Sequence, residues 1–276
     1  MIIDTHQHFW KYDPVEYNWI NDYMSVIRTD FLPENLKKEI DNAGIHGVIS
    51  VQARQSVEET DCLLKLAGEN DFIKGVTGWL PIADNNIESL IDYYSSDSYL
   101  KAVRHVLQEE SDDYMLREDF NRGVSLLKKY NLIYEILIFG RQLKQAIKFV
   151  DHHPGQIFVL DHIAKPKIIK NNLSPWKENI KELAQRQNVY CKISGMVTEA
   201  SYTKWTEDQL IPYLEVVLDA FGPDRLMFGS DWPVCLVACK YKKWLSIVKK
   251  FISRLSNVEQ EKIMGINAVK IYKLEI

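Results

Sequence analysis

The 276-residue chain, 46% hydrophobic, is long enough to bury roughly 75% of its unfolded surface, so its core needs neither a disulfide nor a metal staple. A formal net charge of -4 without a Lys/Arg cluster argues against nucleic acid as a partner, and no apolar run is long enough to span a membrane. The four cysteines, Cys62, Cys191, Cys235 and Cys239, lack extracellular-style spacing and the start lacks a signal segment, so a cytoplasmic enzyme with reduced thiols is expected.

The first predicted element is a strand over residues 2–8, IIDTHQH. Side chains two apart on a strand share a face, so Asp4, His6 and His8 are predicted to point one way and Ile3, Thr5 and Gln7 the other. Two imidazoles about 6–7 Å apart on one face can reach a single metal ion or a single substrate. Trp10 to Phe31 is a long, aromatic-rich connection, read as a lid. A helix follows at 33–44, with Pro33 in its first turn and Gly44 at its end. Further strands are predicted at 47–53, 74–80, 100–106, 132–138, 156–163, 189–195 and 225–231, each a short β-branched or apolar run. Helical periodicity fills 56–70, 117–130, 141–153, 174–187 and 206–222, and two more helices, 241–255 and 257–274, follow the last strand. Eight β-then-α units predict a single α/β domain over 1–276, a TIM (β/α)8 barrel. A doubly wound open sheet uses the same units, but it is disfavoured by the number of units and by the lack of a Gly-rich phosphate loop after the first strand.

A barrel builds its active site at the C-terminal ends of its strands. Those ends here carry His6 and His8, Gln52 and Arg54, Trp79, Arg104 and His105, Glu135, Asp161, His162 and Lys165, Lys192 and Ser194, and Asp231. Several have structural readings beside the functional one. Arg54 suits an ion pair with the following helix as well as a substrate contact. Glu135 requires a buried partner, with Lys192 and Arg104 as candidates. Arg104 and His105 are adjacent on a strand, so only one of them faces inward. His152 and His153 read as an exposed helix end, and Cys235 and Cys239 as apolar packing. Trp10, Trp79 and Trp232 either stack on a ligand or pack in the core. His6, His8, His162 and Asp231 form the most coherent set: imidazoles and a carboxylate are the usual ligands of zinc or a similar divalent ion. Such an ion polarises a carbonyl and acidifies water, and Asp231 can take the water's proton as general base. Without metal, the same set can orient water and stabilise an oxyanion through His162 and Arg104.

Taken in order, THQHFW, DFLPENL, VQARQSVEET, VTGWLP, AVRHVLQEE, VLDHIAKP, CKISGMVTEA and FGSDWPVCL make the chain resemble the amidohydrolase superfamily, and within it the L-fuconolactonase-like sugar lactonases. The likeness runs from Asp4 to about Tyr241. It implies a distorted barrel, hydrolysis of a sugar lactone, a place in carbohydrate metabolism, and site positions at His6, His8, His162 and Asp231. It departs from the binuclear members at strands four and five, where Arg104, His105 and Glu135 replace the bridging lysine and a further histidine. The expectation is therefore one divalent cation, zinc first, or no metal at all. Arg54, Arg104, Lys165 and Trp79 are the candidate substrate-binding residues. Alternatives are a metal-dependent decarboxylase and a non-catalytic barrel that binds sugar acids. A homodimer is compatible with the sequence.

Overall fold

A computed structural model describes residues 1–276. Eight parallel strands lie side by side in chain order: β1 (Ile3–Gln7), β2 (Gly47–Val51), β3 (Ile73–Gly78), β4 (Leu100–His105), β5 (Ile133–Ile136), β6 (Phe158–Leu160), β7 (Val189–Ile193) and β8 (Leu226–Phe228). Helices α1 (Pro33–Asp41), α2 (Val57–Glu69), α3 (Ile87–Ser95), α4 (Glu118–Leu127), α5 (Leu143–His152), α6 (Trp176–Leu183) and α7 (Glu207–Phe221) connect successive strands. After β8 come α8 (Tyr241–Ile252), α9 (Asn257–Glu261) and α10 (Asn267–Tyr272). This is the TIM (β/α)8 barrel the repeated units predict. No helix is long and apolar enough to cross a membrane.

Two predicted features change. The helix that the repeated units require between the third and fourth strands had no range in the sequence, and it is α3. Its Tyr93-Tyr94-Ser95 end has weak helix propensity, and burial of Ile87, Ile91 and Tyr94 at helical spacing supplies what propensity does not. Strands six and eight are shorter than their apolar runs, because the chain leaves the sheet at Asp161 and Gly229, just before the polar residues at the mouth.

The barrel interior is layered. Ile3, Ile49, Val51, Ala102, Ile133, Val159 and Met227 form an apolar layer, closed from below by Ala268, Tyr272 and Leu274 of the C-terminal segment. Above it sits a fully buried ionic layer. Lys192 Nζ lies 2.6 Å from Glu135 and 3.1 Å from Asp161. Thr77 and Tyr272 donate hydroxyl hydrogen bonds of 2.8 and 2.6 Å to Glu135 Oε1. Glu135 is thus accounted for by a structural ion pair with Lys192. The outward strand faces pack on the helices in the large core.

The β1–β8 seam is closed by individual hydrogen bonds instead of a regular ladder. His8 N donates to Trp232 O and Asp231 N to His6 O, each at 2.7 Å, and Thr5 Oγ1 donates to Phe228 O at 2.7 Å. Gly229 makes this approach possible: a Cβ there would stand 2.9 Å from His6 Cβ.

The lid reading of residues 10–31 corresponds to a loop with its own small core. Trp10 and Phe31 exchange backbone hydrogen bonds of 2.9 Å at its neck. Trp10, Tyr17, Ile20, Met24 and Ile27 pack together against the turn at 234–237. Trp10 and Trp232 are buried here, so packing accounts for both.

Candidate active site

Three local backbone devices bring the site together. The first is in β1, where Asp4 pairs with Val48 but Gln7 pairs with Ser50, so one extra residue is bulged out. The bulge breaks the simple alternation of the DTHQH stretch. Asp4 turns outward, accepting a hydrogen bond from Tyr241 Oη at 2.9 Å, while His6 turns into the barrel. Asp4 consequently holds the backbone N–H groups of Ser230 (2.8 Å) and His6 (3.2 Å), and touches neither imidazole. The shared face expected for Asp4, His6 and His8 is corrected in this respect.

The second device follows β6. His162, Ile163, Ala164 and Lys165 all have positive φ, between 43° and 60°. Such a left-handed turn costs L-residues roughly 1–2 kcal/mol each, and strain of this kind persists where surrounding structure enforces it. It allows the sequence neighbours Asp161 and His162 both to serve the barrel mouth, where a continued strand would send them to opposite faces. Gly195, at φ +60°, packs directly beneath: a Cβ there would fall 2.4 Å from His162 Nδ1. The third device is Asp231 itself, at φ +59°, tied by its N–H to His6 O.

Together these devices place Asp231 Oδ1 3.5 Å from His8 Nε2, 3.9 Å from His162 Nε2 and 4.0 Å from His6 Nε2. Each imidazole is held from behind. His8 Nδ1 donates to Val51 O at 2.7 Å, and His162 Nδ1 to Ser194 Oγ at 2.9 Å. His6 Nδ1 faces Asp161 Oδ1 at 3.3 Å. With Nδ1 as donor, the Nε2 lone pairs of His8 and His162 are free toward the mouth, while His6 Nε2 is faced by Arg104 Nη1 at 3.3 Å. Burial lowers the pKa of His6 and His162 well below the usual range, so both stay neutral, the form that binds metal. Burial raises the Asp231 carboxyl, but His162, His8 and Lys165 outweigh it and hold the pKa below the ordinary value. Burial likewise opposes ionisation of Asp161, and Lys192, His6 and Arg104 overcome it, keeping Asp161 charged.

The donor set fits one divalent cation. His6, His8 and Asp231 offer ligand atoms within 4.8 Å of one another. Ligands at about 2.0–2.1 Å around zinc stand about 3.4 Å apart, close to the 3.5 and 4.0 Å between Asp231 Oδ1 and the Nε2 atoms of His8 and His6; His162 faces Asp231 at 3.9 Å but stands outside this three-residue group. A second group, His6, Asp161 and His162, brings ligand atoms equally close together. It fits poorly, because Arg104 at 2.9 Å and Lys192 at 3.1 Å already neutralise Asp161 and would repel a second cation.

This cluster opens onto a cavity of about 270 Å³, near the lower end of the small-molecule range and suited to a monosaccharide. Its wall includes the predicted Arg54, Arg104, Lys165, His8, His162 and Asp231. Arg54 has both roles foreseen for it: it lines the cavity and pairs with Glu59 of α2 at 2.8 Å and with Glu16 of the first loop. Trp79 is not on the wall. Its indole donates to His105 Nδ1 at 3.3 Å, on the side of β4 opposite to Arg104, where His105 also bonds Glu110 and stacks on Tyr114. His153, expected to be exposed, is buried, with Nε2 donating to Asn121 Oδ1 at 2.7 Å. Wall residues not foreseen are Glu16, Asn18 and Trp19, then Gln55, Gln108, Glu109 and Thr198. All lie in strand-to-helix loops, Gln55, Gln108, Glu109 and Thr198 a few residues beyond their strands and Glu16, Asn18 and Trp19 farther along the long first loop, and that position is the signal that finds them.

Comparison with known proteins agrees with this architecture. The family model described as Amidohydrolase matches residues 3–274. An L-fucono-1,5-lactonase of Burkholderia multivorans is 37% identical, covering 99% of this chain and 96% of that protein. An L-fucono-1,5-lactonase of Burkholderia ambifaria is 29% identical with the same coverage. A crystal structure of an amidohydrolase from Burkholderia multivorans with bound zinc, 37% identical, superposes over 100% of both chains with a TM-score of 0.97. With a barrel site of this geometry and a family match over nearly its whole length, the chain belongs to the amidohydrolase family.

Proposed function

We propose that the chain is a sugar lactonase, opening an aldonolactone of the L-fucono-1,5-lactone type to its aldonic acid. The observation that carries this reading is the convergence of His6, His8 and His162 on Asp231 beneath a cavity walled by Arg54, Arg104 and Lys165. The 37% identity to an L-fucono-1,5-lactonase supports the substrate class.

In this mechanism Asp231, ionised and buried, accepts a proton from water as the water oxygen attacks the lactone carbonyl carbon. His162, fixed by Ser194, orients that water. Arg104 and Lys165 supply positive charge to the carbonyl oxygen as it becomes an oxyanion. The bond from the carbonyl carbon to the ring oxygen then breaks, and the proton on Asp231 passes to that oxygen, giving the open hydroxy acid. His6, His8, His162 and Asp231 would hold one divalent cation, with zinc favoured by the ligand set. When bound, it polarises the carbonyl and lowers the pKa of water. Arg54 and the loop residues contact the sugar hydroxyls.

The cavity argues against the alternatives. Its hydrophobic wall residues are only Trp19, Ala53, Val106, Leu137 and Val234, a poor slot for the flat aromatic acid that a decarboxylase of this superfamily takes. A pure sugar-acid binder has no need of a desolvated carboxylate beside three imidazoles. A pH-indicator assay over a panel of aldonolactones, including L-fucono- and L-rhamnonolactone, tests the reading. Acid release on one sugar series, lost on chelation and restored by zinc, is the predicted result. No acid release on any lactone would contradict it.

A further inference from the structure

A second cavity, of about 450 Å³, adjoins the active site and takes no part in the lactonase reading. Its size falls within the usual range for a small-molecule site. Four of its eleven wall residues are cationic, Arg141, Lys165, Lys167 and Lys170, and none is acidic. In a chain of net charge -4, a wall of one sign is a local concentration of positive potential. Lys165 stands on the walls of both cavities, so the two meet at that side chain.

The lysines stand on a tied backbone. Ile168, fully buried, anchors the stretch from Lys165 to Lys170, where Ile168 N donates to Pro166 O at 2.7 Å and Lys170 N to Lys167 O at 3.0 Å. Trp176, at the start of α6, donates its indole N–H to Ile163 O at 2.8 Å and so fastens that end of the wall to the turn after β6. The Phe139 ring gathers two of the cations: the Arg141 guanidinium lies 5.1 Å and Lys165 Nζ 5.8 Å from its centroid. Arg141 pairs with Asp112 at 3.0 Å, whereas none of the three lysines has a carboxylate partner. Asp231 and Glu199, whose charges interact with that of Lys165, lie outside this wall.

We infer that this second cavity binds a small organic dianion of the phosphate monoester class, its phosphate among Lys165, Lys167 and Lys170 and its ring against Phe139. A phosphate monoester carries about −1.5 to −2 charges at pH 7 and three strong acceptor oxygens, the complement of three unpaired ammonium groups. The apolar surface of Phe139, Pro166 and Trp176 favours an ester with a ring over the bare ion. The inference goes beyond the lactonase reading and does not depend on it, since Lys167 and Lys170 line only the second cavity.

The test is calorimetric titration of phenyl phosphate, inorganic phosphate and benzyl alcohol into three proteins. These are the wild-type chain, the double variant Lys167→Gln/Lys170→Gln, and Lys242→Gln/Lys249→Gln, which removes the same charge from exposed positions on α8. The wild type and the α8 variant should bind phenyl phosphate saturably, more tightly than inorganic phosphate, and should not bind benzyl alcohol. Lys167→Gln/Lys170→Gln, folded as judged by thermal unfolding, should bind phenyl phosphate at least ~10-fold more weakly, as loss of charge-assisted hydrogen bonds implies. No binding by the wild type, equal affinity for phenyl and inorganic phosphate, or equal weakening in both variants overturns the inference. So does binding that Lys167→Gln/Lys170→Gln retains in full, which would place the dianion in the active-site cavity instead. Failure of the wild type to release acid from a lactone would count against the lactonase reading alone and leave the second site standing.

Discussion

Asp231, almost wholly buried at the cavity wall, stays ionised because His162, His8 and the Lys165 ammonium outweigh the cost of burial. Its environment depends on small residues nearby. Gly195→Ala places a methyl group where His162 Nδ1 now lies 2.4 Å away, and adds a Cβ at φ +60°. We expect turnover to fall at least ~100-fold, a loss comparable to removing an acid–base group, with the barrel's circular dichroism retained; unchanged kinetics would show that His162 is not held as described. A histidine outside the site contributes to the pH dependence of stability. An unfolded histidine protonates near 6.5, whereas burial lowers His153 to about 4. The folded state therefore binds fewer protons than the unfolded state between those values, and stability falls as pH drops from about 6.5 to about 4, with no further contribution on either side. His153→Gln should flatten that part of the profile in urea unfolding at pH 7.5 and 5. Equal losses in both proteins would contradict it.

At the scale of elements, the first loop is fastened by Arg54, which bridges Glu16 and Glu59. The Glu16 pairing is partly exposed and worth about 0–1 kcal/mol to global stability, so its consequence is local. Glu16→Gln, which leaves the Arg54–Glu59 pair intact, should leave the unfolding midpoint nearly unchanged while raising proteolytic cleavage within residues 11–30; a loop no more sensitive than the wild type's would show that its own core suffices. The elements also show what a sequence can and cannot reveal. All eight strands were legible because β-branched, apolar runs recur between amphipathic segments. The β1 bulge was not, since nothing in DTHQH marks an extra residue and strict alternation was the simplest pattern. Nor was the left-handed turn after β6. Four consecutive positive φ angles fall on His162, Ile163, Ala164 and Lys165, none of them glycine, and only tertiary packing enforces them. Residue type and position at strand ends singled out His162 and Asp231, which lie 3.9 Å apart at the cavity, although the backbone that presents them could not be read.

For the whole molecule, the barrel stacks an apolar layer, a buried ionic layer and the catalytic mouth. Lys192 links the latter two, contacting Glu135, Asp161 and His6. Removing one partner of such a buried network typically costs about 3–5 kcal/mol. Lys192→Met should therefore destabilise the fold by that order in urea unfolding, and a change below about 1 kcal/mol would show that the layer is not a structural unit. The ionic layer was only half legible: Glu135 announced a need for a partner, while its choice of Lys192 over Arg104 depends on strand stagger that no local pattern records. The site itself lies where β1 meets β8, the two ends of the sheet, so sequence positions over 200 residues apart become one cluster. The most direct measurement is acid release from L-fucono-1,5-lactone by the wild-type chain and by Asp231→Asn, side by side and with zinc supplied. The account predicts turnover by the wild type and a fall of at least ~100-fold in the variant, as for loss of a general base. Equal rates in the two proteins would contradict it.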